Sequence, residues 1–255
     1  MNPEDIRPVA ELLDLEGQVA LVTGASGNIG SATAARLSEA GARIVAHYHR
    51  NRAAAEALVE RLGGGDCVAA DLREEAAVDA LFERYAPAIV VNNAARQPVE
   101  ALETMSHDAW RDVLGANLDA AFLVTQAAAA HWRRDRRPGI VVNIASIEGV
   151  DPAAGHAHYA TSKAGLLMFT RAAALEYGGD DIRVNAVSPG LVDRDGLATD
   201  WPEGVERWRS NAPLARLGTA NDVADAVLFL VSPAARWISG ANLVVDGGMS
   251  ARSRW

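Results

Sequence analysis

The stretch Gln18-Val19-Ala20-Leu21-Val22-Thr23-Gly24-Ala25-Ser26-Gly27-Asn28-Ile29-Gly30 decides how the rest of the chain is read. A short apolar run closes on three glycines, and an Ala-rich stretch then continues to Ala40-Gly41. Apolar run, glycine turn and helical stretch in that order predict a strand feeding a helix. Glycines let the backbone turn tightly and approach a ligand. The helix start offers unpaired N–H groups and a positive dipole end, which suit a pyrophosphate.

Outward from this unit, the pattern repeats. Strands are expected at Arg43 to Ala46, Cys67 to Ala70, Ala88 to Val91, Ile140 to Ile144, Ile182 to Val187 and Ala241 to Val245. Helices are expected over 53–62, 74–85, 118–132, 159–177 and 221–231. Strands alternating with helices of ten or more residues imply parallel pairing through right-handed crossovers. The strand runs VALV, AIVV, IVVNI and NLVV are continuous rather than alternating, as in strands covered on both faces. The expected fold is α/β, a doubly wound Rossmann fold whose seven-stranded parallel sheet carries helices on both faces. An N-terminal extension, residues 1–16, precedes a single domain over 17–255. The interval 191–218 holds Gly196, Pro202, Gly204, Pro213, Trp201 and Trp208, is long for a plain connection, and is expected to be a substrate lid.

Composition narrows the function. The 255 residues include 24 Lys+Arg against 33 Asp+Glu, a formal charge of −9, which argues against a nucleic-acid partner that needs a broad basic face. Nearly half the residues are apolar, enough for a sizeable core, yet no run approaches the length of a membrane span. The lone Cys67 fits a reducing compartment, and the acids near the start are unlike a signal peptide, so a cytoplasmic protein without a membrane partner is expected. No His/Asp/Glu spacing suggests a metal site.

Tyr159-Ala160-Thr161-Ser162-Lys163 sets Tyr159 and Lys163 four apart, on one helix face. A phenol is a poor base at neutral pH, and a nearby ammonium favours its charged form. Ser146 follows the strand Ile140 to Ile144, at the carboxyl edge where open α/β sheets bind ligands.

From about Glu16 to Gly248, these features together resemble the short-chain dehydrogenase/reductase family. The loop resembles its T-G-x-x-x-G-x-G pattern, with Asn28 at the middle glycine; asparagine tolerates a left-handed backbone, so the turn is expected to survive. The resemblance implies Tyr159 as proton donor or acceptor, Lys163 lowering its pKa and holding the nicotinamide ribose, Ser146 orienting the carbonyl, and Asn117 supporting a proton relay. It further implies cofactor contacts at Gly24, Ser26, Asn28 and Ile29, at Asp71 and Leu72 near the adenine, at Asn93, Ala94 and Ala95, and at Pro189, Gly190 and Val192. Where the family has a threonine holding the carboxamide, this chain has Arg194. The terminal Asp246-Gly247-Gly248 resembles the family's D-G-G and implies a homo-oligomer, tetramer or dimer.

In an NAD enzyme an acid about twenty residues past the loop binds the ribose hydroxyls. By the family's pattern that position is Tyr48. His49, Arg50 and Arg52 follow with Asn51 between them, and a guanidinium suits a phosphate. Tyr48, His49, Arg50 and Asn51 are therefore the expected ribose contacts. NADP(H) is favoured, with NAD(H) open, and the segment is locally similar to that of pteridine reductases. The expected reaction is hydride transfer between NADP(H) and a carbonyl or secondary alcohol: a 3-oxoacyl thioester, a sugar or polyol, or a cyclic ketone. Arg96, Glu148, His156, His158 and Trp208 are the substrate candidates. A dinucleotide-binding sensor or scaffold without turnover, and a dehydratase or epimerase of the same family, stay open.

Overall fold

A computed structural model describes residues 7–251, so part of the N-terminal extension, residues 1–6, lies outside the described residues. The seven strands are β1 (Val19–Val22), β2 (Arg43–Tyr48), β3 (Asp66–Ala69), β4 (Ile89–Asn92), β5 (Gly139–Ile144), β6 (Ile182–Pro189) and β7 (Asn242–Val245). They form one sheet in the order β3-β2-β1-β4-β5-β6-β7, each pair parallel. Strand order reverses between β1 and β4, so the crevice beyond their carboxyl ends is the place for a ligand.

Helices α1 (Asn28–Glu39), α2 (Arg52–Arg61), α3 (Glu75–Tyr85), α4 (His107–Leu114), α5 (Ala120–Arg134), α6 (Ala157–Tyr177), α7 (Leu197–Asp200), α8 (Pro202–Asn211) and α9 (Ala220–Val231) complete the architecture. Successive strand residues point to opposite faces. Ala20 and Val22 of β1 therefore join Leu37 of α1 and Val227 of α9 in one core. Leu21 joins Phe82 of α3, Val124 of α5 and Ala173 of α6 in the other. Two buried faces explain why β1 reads as an unbroken apolar run.

Three elements depart from expectation. The β7 run NLVV is not covered on both faces: Leu243 and Val245 pack on the first core, while Val244 stands 44% exposed at the sheet edge. The polar His107–Leu114 segment forms α4 behind a Ser106 cap whose side chain accepts from Ala109 N. The interval after β6 carries α7 and α8, the latter started by Pro202 in its first turn, where a missing N–H costs nothing. The continuous helical run His107–Arg134 is long and apolar enough to cross a membrane, but 56% of its most apolar window is buried inside the protein. That burial accounts for its composition without a bilayer.

Candidate active site

The glycine loop is fixed by the strands around it. Thr23 Oγ1 accepts from the backbone N–H groups of Asn93 (2.9 Å) and Ala94 (3.0 Å), and Asn93 Nδ2 donates to Thr23 O (2.9 Å) and Gly24 O (3.2 Å). These bonds join the ends of β1 and β4 across the reversal point. Gly24 takes a left-handed backbone, φ +62°, and a Cβ on Gly30 would come within 2.4 Å of Gly24 O. Asn28 needs no left-handed conformation, contrary to the expectation from its place in the motif: it opens α1 as its first helical residue, and Gly24 alone in the loop has positive φ. Its side chain instead donates to Asp193 O (2.7 Å), tying the loop to the chain leaving β6. No side chain caps α1 and no acid lies in its first turn, so its leading N–H groups fit an anionic pyrophosphate.

One residue without a role by sequence reasoning holds this loop from below. His47 of β2 is 1% exposed; its Nδ1 accepts from Gly24 N (3.1 Å) and its Nε2 meets Ala70 O (3.1 Å). Both contacts are satisfied only by the neutral tautomer with its proton on Nε2. Burial pushes its pKa down and keeps it in that form. A histidine among apolar strand residues was the available signal.

At the ribose end, Tyr48 is buried at the end of β2, and His49 and Arg50 are exposed beyond it. Asn51 caps α2, its side chain accepting from Ala54 N (3.2 Å). Arg52 is held by Glu56 (2.8 Å), whereas Arg50 has no ion-pair partner among the described residues. Asp71 lies 3.9 Å from His49 Nε2 and is gripped by Arg73 at 2.6 and 2.9 Å. That guanidinium holds the carboxyl well below the usual carboxylate range. Leu72 beside it is buried, and Ala95 is exposed.

The reacting end is assembled from β5, α6 and the helical run around Asn117. Tyr159 is 8% exposed, and burial pushes its phenol up to about 12, with a hydrogen bond from Ser146 pulling the other way and the charge of Glu148 adding to the rise. The Lys163 ammonium sits 5.5 Å from the Tyr159 ring centre and donates to Ile144 O (2.7 Å). Burial lowers it to about 8. Lys163 is not among the groups that shift Tyr159 in the protein alone, where burial dominates because a buried phenolate loses its hydration. Asn117 lies in a π-helical turn, Gly115–Asp119, between α4 and α5. Its side chain accepts from Arg96 N (2.7 Å) and donates to Arg96 O (2.9 Å) and Ser162 Oγ (3.1 Å). Such wide turns interrupt helices frequently at functional sites.

The substrate candidates divide. Glu148 and His156 form a pair at 2.8 Å beside Tyr159, the His156 and Tyr159 rings meeting edge to face at 6.0 Å between centres. Gln97, unremarked in the sequence, donates to the other Glu148 oxygen at 3.0 Å. Trp208 lies against Gly190, where a Cβ would come within 2.7 Å of the indole. His158 is corrected: it is fully buried, and its Nδ1 accepts from Tyr159 N (2.9 Å), so it braces the helix start and offers no surface to a substrate. The half-exposed Arg96 guanidinium pairs with Asp112, and its backbone meets Asn117. Arg194 is spent on Asp200 (3.0 Å) and Asp195 O (3.0 Å). Val192 bridges to Gly218, closing the base of the 191–218 interval.

A family profile described as Enoyl-(Acyl carrier protein) reductase matches residues 24–250. The chain is 38% identical over 247 residues to a 3-oxoacyl-(acyl-carrier-protein) reductase of Pseudomonas aeruginosa, covering 93% of this chain and 99% of that protein. It is 34% identical over 248 residues to glucose 1-dehydrogenase 2 of Bacillus subtilis, covering 93% and 96%. Among solved structures, a protein of Agrobacterium tumefaciens provisionally described as a 2-deoxy-D-gluconate 3-dehydrogenase, with bound NADP, superposes with a TM-score of 0.88 at 32% identity over 94% of this chain and 99% of that one. Matches that run from the glycine loop past the last strand, on the same sheet, leave one conclusion: the chain belongs to the short-chain dehydrogenase/reductase family of NAD(P)-dependent oxidoreductases.

Proposed function

We propose that the chain is an NADP(H)-linked dehydrogenase/reductase that interconverts a secondary alcohol and a ketone on a small molecule. The observation that carries this reading is the buried Tyr159 phenol, with the Lys163 ammonium 5.5 Å from its ring and Ser146 buried just past the end of β5. Gly24, Ser26, Asn28 and Ile29 would hold the pyrophosphate, Tyr48, His49, Arg50 and Asn51 the ribose, and Asp71 and Leu72 the adenine. Asn93, Ala94 and Ala95 would line the middle, with Lys163, Pro189, Gly190 and Val192 at the nicotinamide. When bound, the nicotinamide supplies or accepts the hydride. Ser146 orients the substrate oxygen, and Tyr159 delivers its phenolic proton to that oxygen in reduction and recovers it in oxidation. The desolvated pocket makes these hydrogen bonds strong and aims them at the charge that develops on oxygen.

NADP is favoured because Arg50 is an unpaired guanidinium beside His49, with no acid at Tyr48, and because the similar Agrobacterium protein holds NADP. The 191–218 interval, carrying α7 and α8, acts as the substrate lid of a single domain over 17–255. The exposed β7 edge suits a homo-oligomer, and the protein works in the cytoplasm. Consumption of NADPH and NADH is measured across ketones, a 3-oxoacyl thioester and oxidised sugars. Turnover with NADPH preferred supports the reading, while tight NADPH binding without turnover of any compound favours a dinucleotide sensor.

A further inference from the structure

Glu148 is an awkward neighbour for the Tyr159 phenol. A carboxylate there opposes formation of the phenolate, yet three elements cooperate to keep it in place. Ser146 Oγ accepts from Glu148 N (3.1 Å), fixing the turn after β5; Gln97, from the loop after β4, donates to Oε1; His156, capping α6, holds Oε2. The Glu148 and His156 side chains are 16% and 15% exposed, so the pair is too sheltered to be an ordinary surface contact and too open to be core. Since Glu148 is held at both oxygens while each keeps a further lone pair, it can still accept from a ligand. Among the described residues His156 Nε2 has no hydrogen-bond partner.

We propose that Glu148 and His156, set by Gln97, read a neutral hydroxyl on the substrate carbon next to the reacting one, or one carbon further. This selects polyhydroxy alcohols and hydroxyketones over plain ones. A hydroxyl both donates and accepts. Its single proton goes to Glu148 when the charged His156 ring donates from Nε2 to its oxygen, and to either Glu148 or the Nε2 lone pair when the ring is neutral. A substrate carboxylate would face Glu148 as a like charge, and an alkyl group would leave the pair's remaining positions unpaired. Rejection of analogues lacking a hydroxyl comes from such stranded groups. The inference rests on the dehydrogenase reading and deepens it.

The test is oxidation by NADP+ of matched pairs: 2,3-butanediol with 2-butanol, trans-1,2-cyclohexanediol with cyclohexanol, and D-glucose with 2-deoxy-D-glucose. In at least one pair that is turned over, kcat/KM for the more hydroxylated member should be higher by about ten-fold or more. Glu148→Gln and His156→Phe should each bring that ratio toward one, and Gln97→Leu part of the way. A fold defect lowers both members together and leaves the ratio standing, which overturns the inference, as does a wild-type ratio near one in every pair. No oxidation of any member, with turnover still found in the carbonyl panel above, brings down this inference alone; no turnover in that panel either, while NADPH binds, brings down the dehydrogenase reading and this inference with it. Oxidation without discrimination brings down this inference alone.

Discussion

His47 shows how much one buried side chain can decide. Its two ring nitrogens meet Gly24 N and Ala70 O, so an apolar replacement strands a buried donor and a buried acceptor. His47→Phe should lower unfolding free energy by about 2 kcal/mol in urea titration and raise the NADPH KM several-fold with kcat little changed. A loss of kcat alone would place His47 elsewhere in the cycle. Arg50 is the complementary case on the surface: free of ion pairs among the described residues, it is available to a 2′-phosphate. Arg50→Asp should swing the kcat/KM ratio from NADPH toward NADH by about ten-fold or more, since the change swaps attraction for repulsion. An unchanged ratio would return the His49 to Arg52 segment to ordinary solvated turn. Tyr48 and Arg50 were legible because a missing acid at a known spacing is a sequence fact. The task of His47 was not, because its partners lie 23 residues away on either side and meet it only through β1 and β3.

At the scale of elements, the proposed chemistry rests on α6 and the segment after β6. The α6 pair Tyr159 and Lys163 follows from helical spacing, but their ionisation follows from burial, which spacing does not report. With its pKa held at about 12 by burial, the phenol is protonated throughout neutral pH and is ready as an acid. Carbonyl reduction should therefore stay level between about pH 6 and 8, whereas alcohol oxidation, which needs the phenolate, should climb with pH over the same range. An oxidation profile that stays flat would mean that another group takes the proton. In the second element, Gly190 has room only for hydrogen: a Cβ would come within 2.7 Å of Trp208 and 2.9 Å of Asp246 Cβ. Gly190→Ala should push α8 outward and lower kcat/KM by about ten-fold, with Trp208→Ala restoring part of the loss in the double variant. Helices α4 and α8 escaped the sequence because polar caps and a proline start them inside stretches with little apolar periodicity. The Gln97, Glu148 and His156 cluster escaped as a unit because Gln97 comes from the β4–α4 connection and the other two from the β5–α6 connection, which only the sheet edge brings together.

For the whole molecule, Gln18 to Gly30 set the fold class. Strand, glycine turn and helix at Gln18 to Gly30 demand a parallel neighbour, and the alternation after it implies a doubly wound parallel sheet, whereas the order β3-β2-β1-β4-β5-β6-β7 comes from the structure. Strand edges and the face that β7 leaves open were less legible, because coverage depends on what packs against a strand and not on the strand's own composition. The same topology delivers Thr23, Asn93, Ser146 and Pro189 to one edge, from β1, β4, β5 and β6, and α6 lays Tyr159 against it. In the reaction proposed for this chain Tyr159 moves the proton, and Tyr159→Phe removes only the hydroxyl that would carry it. The variant should bind NADPH with a Kd within about two-fold of the wild type by fluorescence titration, while kcat for ketone reduction falls by about 10²- to 10⁴-fold. Near-normal turnover in a variant that still binds NADPH would contradict it.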